Sequence, residues 1–323
     1  MPDTYTSQFS GEEIDAAVRA AQIISGASTL AELRKKLEIR GDTIPVSAED
    51  STLISEALTK IPTTSGGGVN PNLLDNWYFG RPVNQRGQTD YATGGAYTLD
   101  RWWMQYDTTL SIVDGGIKIG GKWDVQQYFE NTLPNATYTL SLLYKDRTGS
   151  DPLRLIAGNR TDGDLAKTES KDASGILSIT FSTAKSNKVN FGFTGSTDNS
   201  AIIIAIKLEL GDTQTLAHKE NGVWVLNEIP DFGEQLARCQ RYCVAFNQYD
   251  TFFPTDTSDF IVELPCPMRI SPTIINPGNI TNVTNPTVAR YNVGSNQLRL
   301  RSTTTHNNAK AVCSGLVLFS ADL

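Results

Sequence analysis

The residues able to do covalent chemistry are few and poorly placed for it. The chain has 2 histidines, His218 and His306, far apart and both in polar, loop-like sequence. No nucleophile-elbow sequence accompanies them, so a hydrolytic triad is not expected. The 4 cysteines, Cys239, Cys243, Cys266 and Cys313, all lie in the last third. Cys239 and Cys243 share a face if their segment is helical. A zinc site needs two further ligands, and no Cys or His stands at close spacing to the other thiols. Buried free thiols are expected ahead of a disulfide or a zinc site. The acids Asp100, Asp107, Asp124 and Glu130 are scattered near turns, where carboxylates usually cap backbone or face water, whereas a glycosidase needs a facing pair. Calcium favours loop carboxylates, and Asp162 and Asp164 in the Thr-Asp-Gly-Asp run form the best, though weak, local pattern. Turn chemistry alone accounts for that run. The expectation is therefore a chain with no catalytic residues, no resident metal and no cofactor.

Aromatic residues set among amides and hydroxyls suit binding instead. Sugar rings are held by flat aromatic faces, with planar amides and carboxylates around the rim. Trp102 and Trp103 are adjacent, so on a strand their side chains point to opposite faces, one inward and one outward. Trp123 follows Gly120-Gly121-Lys122, a turn-like setting, with Tyr106 and Tyr128 near it in sequence. Tyr249, Phe252, Phe253 and Tyr291 lie among Asn, Thr and Gln in the last third. The candidate ligand contacts are Trp103, Trp123, Tyr128, Tyr249, Phe252 and Tyr291. The competing assignment is that these rings fill cores or subunit contacts.

The elements that must position them are mostly strands. The chain has 323 residues with 39% hydrophobic and 20% charged content. Apolar content is below the usual globular range, and Thr, Ser, Asn and Gly fill the gap, which favours a turn-rich β protein. Net charge is −7, which repels DNA and anionic lipid, so no nucleic-acid or membrane partner is expected. No apolar run is long enough to span a bilayer, and no signal peptide is evident, so synthesis in the cytoplasm without export is expected.

Residues 1–65 carry helix signals. Ser10 and Glu13, then Thr29 and Glu32, fit capping boxes ahead of the stripes Ile14, Ala17, Val18, Ala21, Ile24 and Leu30, Leu33, Leu37. A third short helix is expected over 51–60. These helices are too short to stand alone, which favours a bundle shared between chains over a cap on the β region. The glycine-rich stretch after Pro62 reads as a linker. Residues 70–212 offer eight or nine short strands separated by turn signals, the pattern of a two-sheet sandwich. Among them, Tyr97–Tyr106 is expected as one strand. Residues 213–238 are a connector, with a helix expected over Phe232–Ala245. Residues 239–323 are expected to form a smaller β-rich domain whose core is marginal by itself. The fold class is thus mainly β: a short N-terminal helical oligomerisation segment, a jelly-roll-like sandwich and a second β domain.

Several stretches resemble one family. NPNLLDNWYFGRPVNQRG with YTLDRWW resembles the opening of the β domain in tail-fibre and receptor-binding proteins of bacteriophages and prophages. SGEEIDAA resembles their N-terminal oligomerisation helix. TLPNATYTLSLLYK resembles the turn-and-strand pair of jelly-roll carbohydrate-binding modules, and IIIAIKLELGDTQT their closing strand as it occurs in phage proteins. GEQLARCQRYC and LPCPMRISPTI resemble segments between and within the C-terminal domains of such tail proteins. The resemblance implies a homotrimer in the virion tail that attaches to other tail or baseplate proteins through its N-terminal segment. It implies adhesion to host-surface polysaccharide without turnover, with a polysaccharide-cleaving tail enzyme or a purely structural tail component as alternatives. It assigns no ligand residue.

Overall fold

The computed structural model describes residues 70–323, apart from 131, 160–162, 184–188, 254–256, 277, 282–286, 304–308 and 323, and apart from the side chains of 159, 247–253, 257–260, 280, 281, 302, 303 and 309–315. The helices and linker expected before residue 70 lie outside the described residues. Pro71–Leu323 forms one unit.

Twelve strands make two antiparallel sheets of six. The first sheet runs in the order β1 (Asp90–Tyr91), β4 (Thr109–Val113), β5 (Gly116–Gly120), β12 (Ser200–Leu210), β7 (Thr137–Thr148) and β10 (Gly175–Ser182). The second runs β2 (Ala96–Tyr97), β3 (Trp103–Met104), β6 (Trp123–Tyr128), β11 (Val189–Gly195), β8 (Leu153–Asn159) and β9 (Gly163–Ser170). Alternation decides which way each strand faces. In β6, Trp123, Val125 and Gln127 are buried while Asp124, Gln126 and Tyr128 are partly exposed, the period of two that a half-covered strand requires. β12 breaks that rule over Ala205–Glu209, where other segments of the same chain cover both of its sides. The stretch after Asn70 runs beside it, with Leu73 N–H donating to Leu208 O and Phe79 N–H to Ile204 O, both at 2.9 Å. Lys207 and Glu209 are fully buried there, and Lys207 Nζ meets Glu228 at 3.0 Å and Thr215 Oγ1 at 2.9 Å. The hairpin β13 (Ala217–Glu220) and β14 (Val223–Leu226) follows within this connector.

Between the sheets, aromatic rings meet at angles. Phe79 lies 5.2 Å from Trp102, and Phe193 lies 6.0 Å from Trp102 and 6.1 Å from Trp123, measured between ring centres. Gly195 gives Trp123 its space, since a Cβ there would stand 1.4 Å from the indole nitrogen. Gly195→Ala should therefore cost about 1–3 kcal/mol by overpacking. Thermal unfolding checks this, and a loss below about 0.5 kcal/mol would contradict it.

The expected single strand over Tyr97–Tyr106 is broken into β2 and β3. Thr98 N–H donates to Trp102 O and Trp102 N–H to Leu99 O, which closes a tight turn with Arg101 at φ 74°. A non-glycine residue in that left-handed region needs outside support. The Arg101 side chain has it, with Nε 3.1 Å from Asp75 and Nη2 donating to Tyr128 O at 2.8 Å.

The helix α1 (Phe232–Gln240) starts at Asp231, whose side chain accepts from Glu234 N–H at 2.9 Å. It stops five residues before the expected end at Ala245 because Tyr242 and Cys243 turn into β15 (Cys243–Phe253), where Val244 packs into a second core. β15 pairs with β21 (Ala309–Ser320), which also pairs with β17 (Thr273–Asn276) and β18 (Asn279–Thr281). A separate sheet joins β16 (Thr257–Glu263), β20 (Gln297–Thr303) and β19 (Thr287–Tyr291). This second core is small, built around Val244, Leu264, Leu298, Leu300, Val317 and Phe319. Ile261 is left 56% exposed and Val293 68% exposed beside it.

The distinctive stretch 70–103 joins the two cores. The Gln85 amide donates to Cys243 O at 2.6 Å, and its Oε1 accepts from Ala245 N–H at 3.3 Å. Arg86 reaches Asp100 at 2.9 Å and Asp322 at 2.6 Å, with all three side chains nearly or fully buried. Asn76 donates to the Val83 and Asp100 carbonyls and accepts from Val83 N–H, tying the turn to the strand entry.

Burial pushes the Asp100 carboxyl up to about 6 against the opposing pull of Arg86 and the hydrogen bond from Gln85 N–H. Between about 3.8 and about 6 the folded chain therefore holds a proton that the unfolded chain has released. By linkage, this group's contribution to stability falls as pH rises through that window and stays low above it. Unfolding free energies measured across pH 4 to 7 should carry that decline in the native chain beneath the opposite contributions of Asp90, Glu130 and Asp198, whose carboxyls are held low. Asp100→Asn should flatten it, and identical slopes for the two proteins would count against this placement of Asp100.

Candidate functional site

The outward face of the second sheet gathers the polar and aromatic residues that the inward face excludes. Register fixes who stands beside whom. Trp103 pairs with Gln126, Gln126 with Gly192, Gly192 with Ile156, and Ile156 with Lys167. The next outward row is Tyr128, Asn190, Gly158 and Asp164. The row on the other side is Asp124, Thr194, Arg154 and Glu169. Tyr128 is thus the diagonal neighbour of Trp103, within reach of a large side chain.

An aromatic pair stands at one edge of the face. Trp103 is half-buried, and Tyr97 meets it edge-on with centres 5.3 Å apart. Gly192 and Gly158 bring no side chains to the central strands. A Cβ on Gly192 would lie 2.3 Å from Val125 O and 3.0 Å from Gln126 Cγ, and one on Gly158 2.9 Å from Asn190 Oδ1, so both glycines are buried and give room to the Gln126 and Asn190 side chains. From Trp103 to Ile156 is three strand spacings, about 14 Å, room for a short run of sugar rings.

Amides and a carboxylate line the face. Asn190 Nδ2 donates to Gln126 Oε1 at 2.7 Å, which fixes both planar groups. Burial raises the Asp124 carboxyl above its ordinary range, and a hydrogen bond from Gln126 works against that shift. Asp124, Gln126 and Asn190 therefore form one connected polar strip beside Trp103 and Tyr128. Arg154 Nε pairs with Glu169 at 3.0 Å at the far side. Such a surface can stack an apolar ring face on the indole and bond hydroxyls through groups already held in place.

Of the residues expected from sequence, the structure brings Trp103 and Tyr128 together on this face. Trp123 lies on the opposite side of the same strand, fully buried among core rings, so no ligand can stack on it; alternation along β6, not the preceding turn, sets its direction. Tyr291 stands elsewhere, donating its hydroxyl to Met268 O at 2.9 Å and packing on the second core. Tyr249 and Phe252 belong to β15, but their side chains lie outside the described residues, as does Asp162. Asp164 is exposed and 3.7 Å from Lys167. Among the described residues no group of three or more His, Cys, Asp or Glu is placed to hold a metal ion.

The remaining chemistry candidates have local partners. His218 Nδ1 lies 2.5 Å from Asn227 Oδ1 on the connector hairpin. Cys239, Cys243 and Cys266 are free thiols, and burial pushes all three above the ordinary thiol range. Asp107 accepts from Gly94 N–H at 2.7 Å. Asp100 and Glu130 serve the joint between the cores rather than facing each other as an acid–base pair.

No protein-family model matches the sequence, and no curated protein sequence matches it. Solved structures that resemble part of the chain include a CBM4 carbohydrate-binding module, 14% identical, which covers 35% of this chain and 88% of its own with a TM-score of 0.28. TmCBM61 in complex with β-1,4-galactotriose is 11% identical over 44% of this chain and 99% of its own, with a TM-score of 0.27. The CBM22-1 xylan-binding domain of a Paenibacillus barcinonensis protein is 15% identical over 46% of this chain and all of its own, with a TM-score of 0.30.

Proposed function

We propose that the chain is a non-catalytic glycan-binding protein whose ligand lies along the outward face of the second sheet. The observation that carries this reading is the placement of Trp103 and Tyr128 around the bonded Gln126–Asn190 pair, whose amides lie over Gly192 and Gly158. The motif resemblance of 70–103, 207–211 and 233–243 supports the finer reading: a bacteriophage or prophage tail-fibre or receptor-binding subunit, located in the virion, that attaches to host-surface polysaccharide. In that reading the segment before residue 70 attaches to other tail proteins and joins three copies. The small second core, with Ile261, Ile270, Ile275 and Val293 exposed beside it, supports a shared assembly, since a single copy leaves that apolar area in water. Three sites on one particle would raise weak single-site affinity through effective concentration.

Fluorescently labelled protein applied to immobilised bacterial surface polysaccharides tests the binding. Saturable retention of an unaltered polysaccharide, with no new reducing ends, is the expected result. Light scattering of the full chain tests the assembly: a mass of three chains is expected, and a monomer would remove the trimer.

A further inference from the structure

Where the sandwich meets the second core, a cleft of about 180 Å³ is lined in part by Arg101, Arg238, Arg241, Asp75, Glu130 and Phe129. Its two carboxylates are already engaged. Asp75 takes Arg101 Nε at 3.1 Å and Arg238 Nε at 2.7 Å. Glu130 accepts from the Tyr242 hydroxyl at 2.6 Å and also pairs with Arg241 at 3.3 Å and Arg269 at 3.4 Å. Burial alone would raise the Glu130 carboxyl, but these donors hold it below its ordinary value.

The guanidiniums are not matched in turn. Arg101 is 2% exposed, and its guanidinium carbon lies 3.6 Å from the Tyr242 ring centre. Nε is held by Asp75 and Nη2 by Tyr128 O, yet Nη1 is buried with no hydrogen-bond partner. A buried cationic N–H without an acceptor is costly, so the site is short of one acceptor. Three lining arginines against two lining carboxylates leave one positive charge in excess, on a chain whose overall charge is −7.

We propose that this cleft binds a single carboxylate, with the half-exposed Arg241 as the donor that meets it and the buried, acceptor-short Arg101 supplying positive charge from behind. A planar carboxylate matches the planar guanidinium fork. A dianion would meet Asp75 and Glu130 with only one compensating charge, so phosphate and sulfate are disfavoured. The volume and the Phe129 wall admit either a small organic acid or the acidic end of a sugar. Trp103 and Gln126 take no part, so the site stands or falls separately from the sheet face.

Calorimetric titration of the full chain with D-glucuronate, acetate and D-glucose tests the proposal. Both carboxylates should bind saturably and glucose should not. Arg241→Gln should weaken binding about tenfold, and Trp103→Ala should leave it unchanged. Arg101→Met should weaken it as well, in a protein with native circular dichroism. If that variant does not fold, Arg241→Gln decides. Glucuronate binding tighter than acetate assigns the site to an acidic sugar, and equal affinities assign it to a free acid; both support a carboxylate site. Absence of saturable heat from either carboxylate, glucose binding as well as glucuronate, or an undiminished Arg241→Gln variant overturns it.

Discussion

Arg86→Met should lower unfolding free energy by about 3–5 kcal/mol at pH 8. The reason is asymmetry. Arg86 spans two carboxylates, Asp100 and Asp322, whose side chains are 0% and 5% exposed. Its removal leaves both buried without their counter-charge, which costs far more than a surface ion pair is worth. For a unit of this size the melting temperature should fall by roughly 10 °C. Because Asp322 follows β21, the loss should also free the C-terminal strands from the sandwich, and limited proteolysis should cut near Gln85 or Cys243 sooner than in the native chain. A loss under about 1 kcal/mol would mean that the joint between the cores does not depend on this residue.

Trp102→Ala should cost at least as much, about 3–5 kcal/mol for the cavity with a further cost for an orphaned carbonyl. Trp102 is fully buried against Phe79, and its indole N–H donates to Asn76 O at 2.8 Å. That carbonyl belongs to a residue at φ 51°, so the same indole also supports a left-handed turn. Its neighbour gives the control. Trp103 faces outward, so Trp103→Ala should leave chemical denaturation nearly unchanged, within about 1 kcal/mol. Equal losses from the two substitutions would show that the assignment of opposite faces is wrong.

Much of the sandwich was legible because its strands obey simple periods. The apolar or alternating runs Gly116–Ile119, Tyr138–Tyr144, Gly175–Phe181 and Ala201–Leu210 all lie within strands, among the eight or nine expected over 70–212. β9 escaped because GDLAKTES has little apolar content, as befits an edge strand with one exposed side. The break in Tyr97–Tyr106 was hidden because Arg101 takes a conformation usually left to Gly or Asn, supported by partners remote in sequence. The site was half legible. Trp103 and Tyr128 were among the expected ligand contacts and lie on the outward face, but so was Trp123, because the glycine turn before it was weighed above the alternation of WDVQQY that turns it inward. Asn190 and Gly192 could not be joined to Tyr128 and Gln126 without the β6–β11 register. The motif residues Asn76, Gln85, Arg86 and Arg101 prove to serve turns and the joint between cores, which explains why motifs alone named no ligand contact.

The central claim is that the outward face of the second sheet holds glycan through Trp103. The most direct measurement is a calorimetric titration of the polysaccharide that best retains the native protein, repeated with Trp103→Ala and with Tyr291→Phe as a control remote from the face. Loss of about 1.4 kcal/mol or more in affinity, tenfold, for Trp103→Ala alone, with its unfolding curve unchanged, is the expected result. Undiminished affinity in a folded Trp103→Ala protein would contradict the account.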